Sequence, residues 1–303
     1  MITRDLDAFF ASARQCADDF GPATARAAFL VSPDGFSFAA QSASDNRYMA
    51  EAASFDAEAA LHEHRALQMA LREELPVIAF AGSADTPDAV FPNNVFATAP
   101  GKLVVGRMRH AVRQREARRD DIRAFFTGTL GYAETDLSQQ PHPCELTGAL
   151  VIDRARGLGF CGLSERCDER GAALMHAAFG LRATLMFDLK PGEYHLNVLL
   201  AILAGRAALV APNGFADART AAAIADFYAP HAIMLTDAEQ AAFAANAISL
   251  GENSVWMSAG AARALTPATR AALATAGFGV RSVALEALEA AGGSLRCCVA
   301  EIF

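Results

Sequence analysis

Short apolar runs alternate along this chain with longer stretches that carry one apolar face. Apolar positions recur at helical spacing over residues 56–74, so we predict a helix there, with Ser54 or Asp56 as its N-cap. The apolar run Val77–Phe80 follows directly after Pro76 and predicts a buried strand. Because blocks of both kinds alternate to the end of the chain, the pattern predicts an α/β fold.

The same pattern predicts the remaining elements. Further strands are expected at 95–98, 103–105, 149–153, 159–162, 183–187, 198–203, 207–210, 232–235, 247–250, 255–257 and 297–302. Further helices are expected at 114–126, 168–179 and 216–227, and two helical runs flank 278–284. No linker rich in glycine, proline or serine divides the pattern, so we expect one domain over 1–303. It would hold roughly five strand–helix–strand units of about sixty residues each.

Composition indicates a globular protein and argues against some partners. Of the 303 residues, 53% are apolar and 20% charged, and the formal net charge is −8. A nucleic-acid surface would need clustered basic residues, so no nucleic-acid partner is expected. No apolar stretch approaches the roughly 18 residues of a membrane span, and no membrane partner is expected. Whether the chain forms a homo-oligomer is left open.

The six cysteines lack the C-x-x-C spacing of structural zinc sites, so no metal and no cofactor are expected. The first residues carry charges of both signs and no apolar signal segment follows. Reduced thiols in the cytoplasm are therefore the expected setting.

Two segments suggest a nucleophile and a proton carrier. Cys297 follows Arg296 near the end of the chain, and His195 lies about a hundred residues upstream in the sequence Y-H-L-N-V. Cysteine attacks as its thiolate, and a neighbouring imidazolium or cation such as Arg296 would lower its pKa. The alternative is that Cys297 is a buried packing residue on a last strand. His62 and His64 face apart on one helix, so they do not suggest a metal site.

Several segments together resemble the amidinotransferase-like, or pentein, superfamily. They are T-P-D-A-V-F-P-N-N at 86–94, R-Q-R-E at 113–116, E-L-T-G at 145–148, G-L-S-E-R at 162–166, Y-H-L-N-V at 194–198 and R-C-C-V-A-E-I-F at 296–303. The resemblance runs from about residue 32 to the end and is strongest to citrulline-utilisation hydrolases. It extends to dimethylarginine dimethylaminohydrolase and arginine deiminase.

The resemblance implies a five-bladed α/β propeller of pseudo-fivefold ββαβ units, with the site at its centre. Residues 1–27 would be an added N-terminal helical segment, with a helix at 5–17. The resemblance also implies that Cys297 is the nucleophile and His195 the general acid and base, and that Glu145 holds the substrate nitrogen and orients His195. Arg113 and Arg166 match positions that hold the substrate's α-carboxylate; surface salt bridges are their alternative.

Asn93 and Asn94 distinguish among small-molecule substrates. Guanidine-processing relatives usually carry carboxylates in this segment, and a carboxylate suits a guanidinium because that group offers only N–H donors and positive charge. A ureido group also carries a carbonyl oxygen, and an amide can serve both of its ends. The residues therefore favour citrulline, with Phe91 in the same segment also expected to contact the substrate. The alternative for Asn93-Asn94 is an ordinary turn.

Other activities stay open. The same residues would suit an arginine or dimethylarginine hydrolase, or an amidinotransferase in which an amine replaces water. The chain also departs from the family pattern, with Ser32 where relatives have arginine and Leu146 where they have glycine. These departures leave a non-catalytic binding protein as a further alternative.

Overall fold

The strands gather in five separate sheets within residues 1–49 and 55–303, the part of the chain that the computed structural model describes. The strands are β1 (Ile2–Thr3), β2 (Ala27–Val31), β3 (Val77–Phe80), β4 (Phe96–Ala99), β5 (Lys102–Val105), β6 (Ala133–Asp136), β7 (Leu150–Asp153), β8 (Leu158–Leu163), β9 (Ala183–Asp188), β10 (Leu200–Leu203), β11 (Ala207–Val210), β12 (Ala232–Met234), β13 (Ser254–Ser258), β14 (Gly279–Val283) and β15 (Ala300–Ile302).

Helices connect the strands within and between the sheets. The α-helices are α1 (Leu6–Ala13), α2 (Ala40–Ala43), α3 (Ala57–Leu71), α4 (Ala111–Gln114), α5 (Asp120–Ala124), α6 (Leu146–Ala149), α7 (Glu169–Phe179), α8 (Ala218–Phe227), α9 (Asp237–Ala241), α10 (Ala259–Ala264), α11 (Pro267–Thr275), α12 (Glu286–Glu289) and α13 (Leu295–Cys298). Short 3₁₀ turns lie at Pro92–Asn94, Glu116–Arg118, Leu196–Val198 and Pro212–Gly214, and a π-turn lies at Phe125–Thr129.

One pairing pattern recurs among the sheets. In β4-β5-β6, β7-β8-β9 and β10-β11-β12, the first two strands pair antiparallel and the third pairs parallel with the second. A helical connection precedes the parallel strand, because a parallel pair needs a crossover. The sheet β15-β2-β3 repeats this pattern with a first strand from the end of the chain, while β13 and β14 form a parallel pair. The expected α/β class is thus confirmed, and the closed five-bladed ring stays a prediction.

The N-terminal segment packs on the sheet β7-β8-β9. β1 pairs parallel with β9, with Ile2 opposite Thr184. The Asp5 side chain caps α1 by accepting from the backbone N–H of Ala8 at 2.9 Å. Phe9 lies edge-on to the Phe160 ring. The added helix is therefore present but ends at residue 13, shorter than the expected 5–17.

Helix α3 shows how the apolar pattern builds the core. Asp56 is its N-cap, accepting from the N–H of Ala59 at 2.9 Å, as one of the two predicted alternatives requires; Ser54 lies outside the described residues. Its buried positions, at 60, 64, 67 and 71, follow helical spacing. Leu67 and Leu71 pack in one apolar cluster with Cys297 and Cys298. This cluster anchors the segment that carries the candidate nucleophile.

Three predicted elements are wrong. Residues 114–126 form two short α-helices separated by a 3₁₀ turn, because Arg119 has an extended backbone (ψ 89°). Residues 247–250 form no strand, only a bridge from Ile248 to Trp256. The predicted strand at 297–302 begins as the helical turn α13 and becomes a strand only at Ala300.

No helix in the described ranges is both long enough and apolar enough to cross a membrane. Nor do those ranges contain three or more His, Cys, Asp or Glu side chains grouped so as to hold a metal ion.

Candidate active site

The predicted site residues occupy equivalent places in successive sheets. Asn94, Glu145, His195 and Cys297 each lie in or beside a short turn just before the first strand of a sheet, and Asn246 lies just before the bridge at Ile248 that leads to β13. These five positions are 50 or 51 residues apart in the sequence. The turn at Pro92–Asn94 contacts both α6 and α13, and α6 also contacts the turn at Leu196–Val198. Equivalent turns thus bring distant residues together.

Cys297 is held by two asparagines. Its thiol accepts from the Asn246 Nδ2 at 3.3 Å and donates to the Asn197 Oδ1 at 3.7 Å. The Asn246 Oδ1 in turn accepts from the Cys297 backbone N–H at 3.3 Å. Asn246 was not predicted from the sequence, although its position in the series of 50- to 51-residue intervals indicates it. A single amide therefore fixes both the backbone and the sulfur of the candidate nucleophile.

The Cys297 thiol is protonated at neutral pH in this environment. Burial raises its pKa above the ordinary value, and hydrogen bonds from Asn246 and from the backbone, the charge of Arg296 and Asn197 only partly oppose this effect. The Arg296 guanidinium is bound to Glu301 at 2.9 Å, so its charge is largely neutralised there. Arg296 does lower the pKa of the thiol, as expected, but burial outweighs this effect.

This raised pKa predicts the pH dependence of alkylation. Without substrate, the rate of iodoacetamide reaction at Cys297 should rise with pH and show its midpoint above that of an ordinary cysteine, because only the thiolate reacts and burial raises the pKa of Cys297. The measurement is peptide mass spectrometry of labelled Cys297 against pH, with Cys16, a half-buried cysteine, as internal reference. A midpoint below 7 would contradict the burial argument.

His195 and Glu145 form a buried pair. The His195 Nε2 donates to the Glu145 Oε2 at 2.8 Å, and neither side chain is exposed. Since the carboxylate accepts at Nε2, the other ring nitrogen, Nδ1, is left as the acceptor. Burial lowers the pKa of His195, while Glu145 works in the opposite direction. A neutral imidazole hydrogen-bonded to an ionised carboxylate is thus the resting arrangement of this pair.

Glu145 stays ionised although burial would raise its pKa. The charge of Arg166, the hydrogen bond from His195 and the charge of Arg113 together hold that pKa well below the usual value. Its Oε2 lies 3.3 Å from the Arg166 Nη1, and its Oε1 accepts from the Arg109 backbone N–H at 3.0 Å. Both oxygens of this carboxylate therefore accept hydrogen bonds from donors within the protein.

Glu145→Gln should lower the pKa of His195 further and reduce kcat about a hundredfold or more. The carboxylate raises that pKa in the native protein, so its loss makes the imidazolium scarcer at neutral pH. The measurements are the NMR titration of His195 and the pH profile of kcat. The matched control is Glu165→Gln, since Glu165 is exposed and forms its ion pair with Arg109, not with His195. An unchanged His195 titration in Glu145→Gln would contradict the assignment.

A small cavity adjoins the candidate nucleophile. Cys297, Asn94, Phe91, Arg113 and Arg166 all line it. The predicted residues lining it are joined by others that were not predicted: Ser42, Asn46, Asp88, Tyr194, Ala291, Gly292 and Gly293. Five of the eight predicted site residues therefore meet at one cavity.

The other three predicted residues lie behind the lining. A Cβ at Gly148 would come within 2.8 Å of the His195 Nδ1 and within 2.6 Å of the Asn94 Oδ1. The absence of a side chain at Gly148 thus lets the imidazole approach the amide that faces the cavity. Asn93 is fully buried, and its carbonyl oxygen accepts from the Thr147 hydroxyl at 3.0 Å.

Both predicted arginines are already bound to carboxylates. Arg113 pairs with Glu116 through two hydrogen bonds of 2.8 and 2.9 Å, and the Arg166 Nε lies 3.1 Å from both oxygens of Asp45. Both side chains are almost fully buried, so the alternative of surface salt bridges is wrong. Asp88 adds a further buried carboxylate to the cavity lining.

Buried polar atoms without a partner are frequent among the candidate site residues, and two of these residues, Asp88 and Asn94, line this cavity. Among the described residues, nine buried side-chain nitrogen or oxygen atoms lack a hydrogen bond. Six of the nine belong to Asp88, Asn93, Asn94, His195 and Asn197. Leaving such atoms unpaired costs about 1–3 kcal/mol each, so this is where a polar ligand would gain most.

Leu146, where the family resemblance implies a glycine, has a backbone φ of +22°, at the edge of the left-handed region. Its side chain is fully buried, and a Cβ at Gly106 would lie 2.7 Å from it. Such a conformation costs a non-glycine residue about 1–2 kcal/mol. The chain therefore keeps a glycine-like turn beside Glu145 despite the substitution.

Comparison with known proteins agrees with this arrangement. Residues 32–303 match the profile of the family described as N,N dimethylarginine dimethylhydrolase, eukaryotic. The chain belongs to this family. It is 32% identical, over 216 residues, to the N(G),N(G)-dimethylarginine dimethylaminohydrolase of Mycobacterium tuberculosis strain H37Rv. That alignment covers 71% of this chain and 66% of the relative.

Solved structures share the fold of this dimethylhydrolase-family chain. The N-terminal domain of ArgZ, a cyanobacterial arginine dihydrolase, in a substrate-bound variant has a TM-score of 0.79 at 22% identity, covering 91% of this chain and 97% of that domain. Full-length ArgZ has a TM-score of 0.80, but the match covers only 40% of the ArgZ chain. A dimethylarginine dimethylaminohydrolase variant, solved as its adduct with S-methyl-L-thiocitrulline, has a TM-score of 0.71 at 20% identity. The match covers 92% of this chain and 100% of that one.

These matches confirm the relation to penteins and to dimethylarginine dimethylaminohydrolases that the motifs indicated. The relatives are hydrolases that act on C–N bonds other than peptide bonds, so the expected enzyme class is confirmed for the family. The chain spans about two thirds of its curated relative and two fifths of full-length ArgZ.

Proposed function

We propose that this protein is a cysteine-dependent hydrolase of guanidino and ureido amino acids, with citrulline as the favoured substrate and ornithine as a product. The observation that carries the proposal is the cavity where the Cys297 thiol and the Asn94 amide meet, with the buried His195–Glu145 pair behind them. A nucleophile, a proton carrier and an orienting carboxylate are the parts that thiol hydrolysis of a C–N bond needs.

The proposed chemistry begins with a proton transfer. The raised pKa of Cys297 and the lowered pKa of His195 leave both groups neutral at rest. When the substrate carbon is bound, the sulfur adds to it and its proton goes to the imidazole. The adduct then expels an amine, which takes the proton from the imidazolium as it leaves. Neutral His195 removes a proton from water, whose oxygen attacks the carbon. The C–S bond breaks, the imidazolium returns its proton to the sulfur, and the carbamate released loses CO2 to leave the second amine.

The amides account for the preference for a ureido group. The Asn94 Oδ1 is buried without a hydrogen-bond partner. The Nδ2 and Oδ1 of Asn93 are also buried without one. An amide can donate to the ureido oxygen and accept from a ureido N–H, and a carboxylate can only accept. Phe91 would pack against the apolar part of the substrate.

The amino-acid end of the substrate would meet charged groups. Arg113 and Arg166 line the cavity and would receive the α-carboxylate, each retaining its carboxylate partner. Asp88, with one oxygen unpartnered, would accept from the α-ammonium. This assignment makes Asp88 a further substrate-binding residue.

Arginine hydrolysis by the same residues is the second candidate. Asp88, Glu116 and Glu145 place three carboxylates in or next to the cavity lining, and negative charge favours a guanidinium. The names of the relatives point the same way, since ArgZ is an arginine dihydrolase. An amidinotransferase and a non-catalytic binding protein remain further alternatives.

A product screen separates these candidates. Purified protein is incubated with citrulline, arginine and dimethylarginine, and ornithine, citrulline and ammonia are quantified by mass spectrometry and enzymatic assay. Citrulline hydrolysis predicts ornithine and ammonia from citrulline with the highest kcat/KM. Faster turnover of arginine or dimethylarginine would replace the favoured substrate with a guanidino one, and no turnover of any would favour a binding protein.

The proposal extends to the architecture. The five sheets would be the blades of a closed propeller in one domain of 1–303, with 1–27 added to it. Support comes from the repeated pairing pattern, from the 50- to 51-residue interval of the site residues and from the pairing of β15 with β2. The six free cysteines fit the reducing environment of the cytoplasm.

A further inference from the structure

A second small cavity shares no lining residue with the cavity at Cys297. Its polar lining comes from Thr147, Arg154, Asn197, Ser249, Arg296 and Glu301. The rest of the lining is apolar, for example Ile152 and Ile248. Nothing in the proposed chemistry uses Arg154 or Ser249.

The charges of this cavity do not balance. Arg296 and Glu301 pair with each other at 2.9 Å, while Arg154 has no carboxylate partner in the described ranges. Arg154 donates from Nη1 to the Thr98 carbonyl oxygen at 2.9 Å, and its guanidinium lies 4.3 Å from the centre of the Phe303 ring. Burial lowers the pKa of Arg154 to about 10, with Glu301 opposing and Arg296 adding to the effect. One net positive charge is left.

Two buried polar groups without a partner line the same cavity. The Ser249 hydroxyl and the Asn197 Nδ2 make no hydrogen bond to any described residue. The Asn197 amide orientation is fixed by its Oδ1, which accepts from Asn246 and from the Cys297 thiol. Its Nδ2 is therefore a free donor, and the hydroxyl can donate as well.

We propose that this cavity binds a small monovalent inorganic anion, of the size of chloride or bicarbonate, through Arg154, Asn197 and Ser249. A single uncompensated cation matches one negative charge, and the other cation in the lining, Arg296, is already paired with Glu301, which disfavours a doubly charged ligand. Two neutral donors complete the coordination. The Asn197 Oδ1 also accepts a hydrogen bond from the Cys297 thiol. Asn197 would therefore link the bound anion to the candidate nucleophile. This proposal does not depend on the proposed function.

The single tryptophan provides the readout. Trp256 exchanges two backbone hydrogen bonds with Ile248, at 2.8 and 3.0 Å, and Ile248 lines the cavity. The intact protein is titrated with sodium chloride or sodium bicarbonate while sodium gluconate, whose anion is too large for the cavity, keeps ionic strength constant. Trp256 fluorescence and Tm are recorded. We expect a saturable fluorescence change and a higher Tm with at least one small anion; curves identical to gluconate alone would overturn the proposal.

Variants locate the site. Arg154→Met should abolish the anion response, and Ser249→Ala should weaken the affinity about tenfold, because a hydrogen bond to a charged group is lost. The control is Arg219→Met, since Arg219 is 84% exposed and pairs only with Asp217; it should respond like the native protein. A native response in Arg154→Met overturns the proposal. If Arg154→Met does not fold, a native affinity in Ser249→Ala overturns it. The chloride and bicarbonate arms identify which anion binds.

Discussion

Cys297→Ala is expected to lower kcat by roughly 10⁵-fold, the order seen when a covalent nucleophile is removed. The neighbouring substitution, Cys298→Ala, should keep kcat within about threefold. Cys298 is fully buried in the apolar cluster with Leu67 and Leu71, so its loss leaves a small cavity, at a cost of about 1 kcal/mol in the free energy of unfolding. The measurement is steady-state turnover of the substrate found in the product screen.

The two cysteines are matched controls for each other because both lie on α13 and both are buried. Thermal unfolding of each variant shows whether a loss of turnover reflects a loss of fold. If Cys298→Ala is the inactive variant and Cys297→Ala stays active, the nucleophile is misassigned. Full activity of both would exclude covalent catalysis by α13.

Asn94→Asp should change the choice of substrate. A carboxylate at this position would lose the donor for the ureido oxygen and attract a guanidinium, so kcat/KM for citrulline should fall about ten- to a hundredfold relative to that for arginine. Asn94 lines the cavity and its Oδ1 lies next to Gly148 and the His195 ring, so the new charge acts close to the reacting carbon. The measurement is kcat/KM for citrulline and arginine in competition.

Asn93→Asp is the matched comparison. Asn93 does not line the cavity, so a carboxylate there should affect the free energy of unfolding more than the ratio of the two kcat/KM values. Unchanged citrulline turnover in Asn94→Asp would remove the amide argument. A larger change of specificity in Asn93→Asp would assign the discriminating contact to the other amide.

The strands that the sequence predicted well are buried runs with clear boundaries. The strands β3 and β11 match the predicted bounds at both ends, since Pro76 precedes the first and Arg206 the second. The wrong elements have tertiary causes. The backbone at Arg119 interrupts a sequence with helical periodicity. Residues 247–249 line the second cavity, and only Ile248 makes a bridge to β13.

The site was predictable to the extent that its residues carry chemistry within a motif. Five of the eight predicted residues line one cavity, and His195 pairs with Glu145 as the family resemblance implied. Asn246 has no motif around it, and only its interval from His195 and Cys297 points to it. The pairing of Arg113 with Glu116 and of Arg166 with Asp45 was not predicted. The burial of Cys297 was expected only under the alternative that it is a packing residue, because its extent depends on segments distant in sequence.

The most direct test of covalent catalysis is to stop turnover with acid and map the modified peptide by mass spectrometry. The account predicts that the peptide ending in Phe303 gains the mass of the substrate-derived carbon group, on Cys297. The same mass should be absent from Cys297→Ala and present in Cys298→Ala. Turnover without any adduct at Cys297, or with the adduct on another cysteine, would contradict the account.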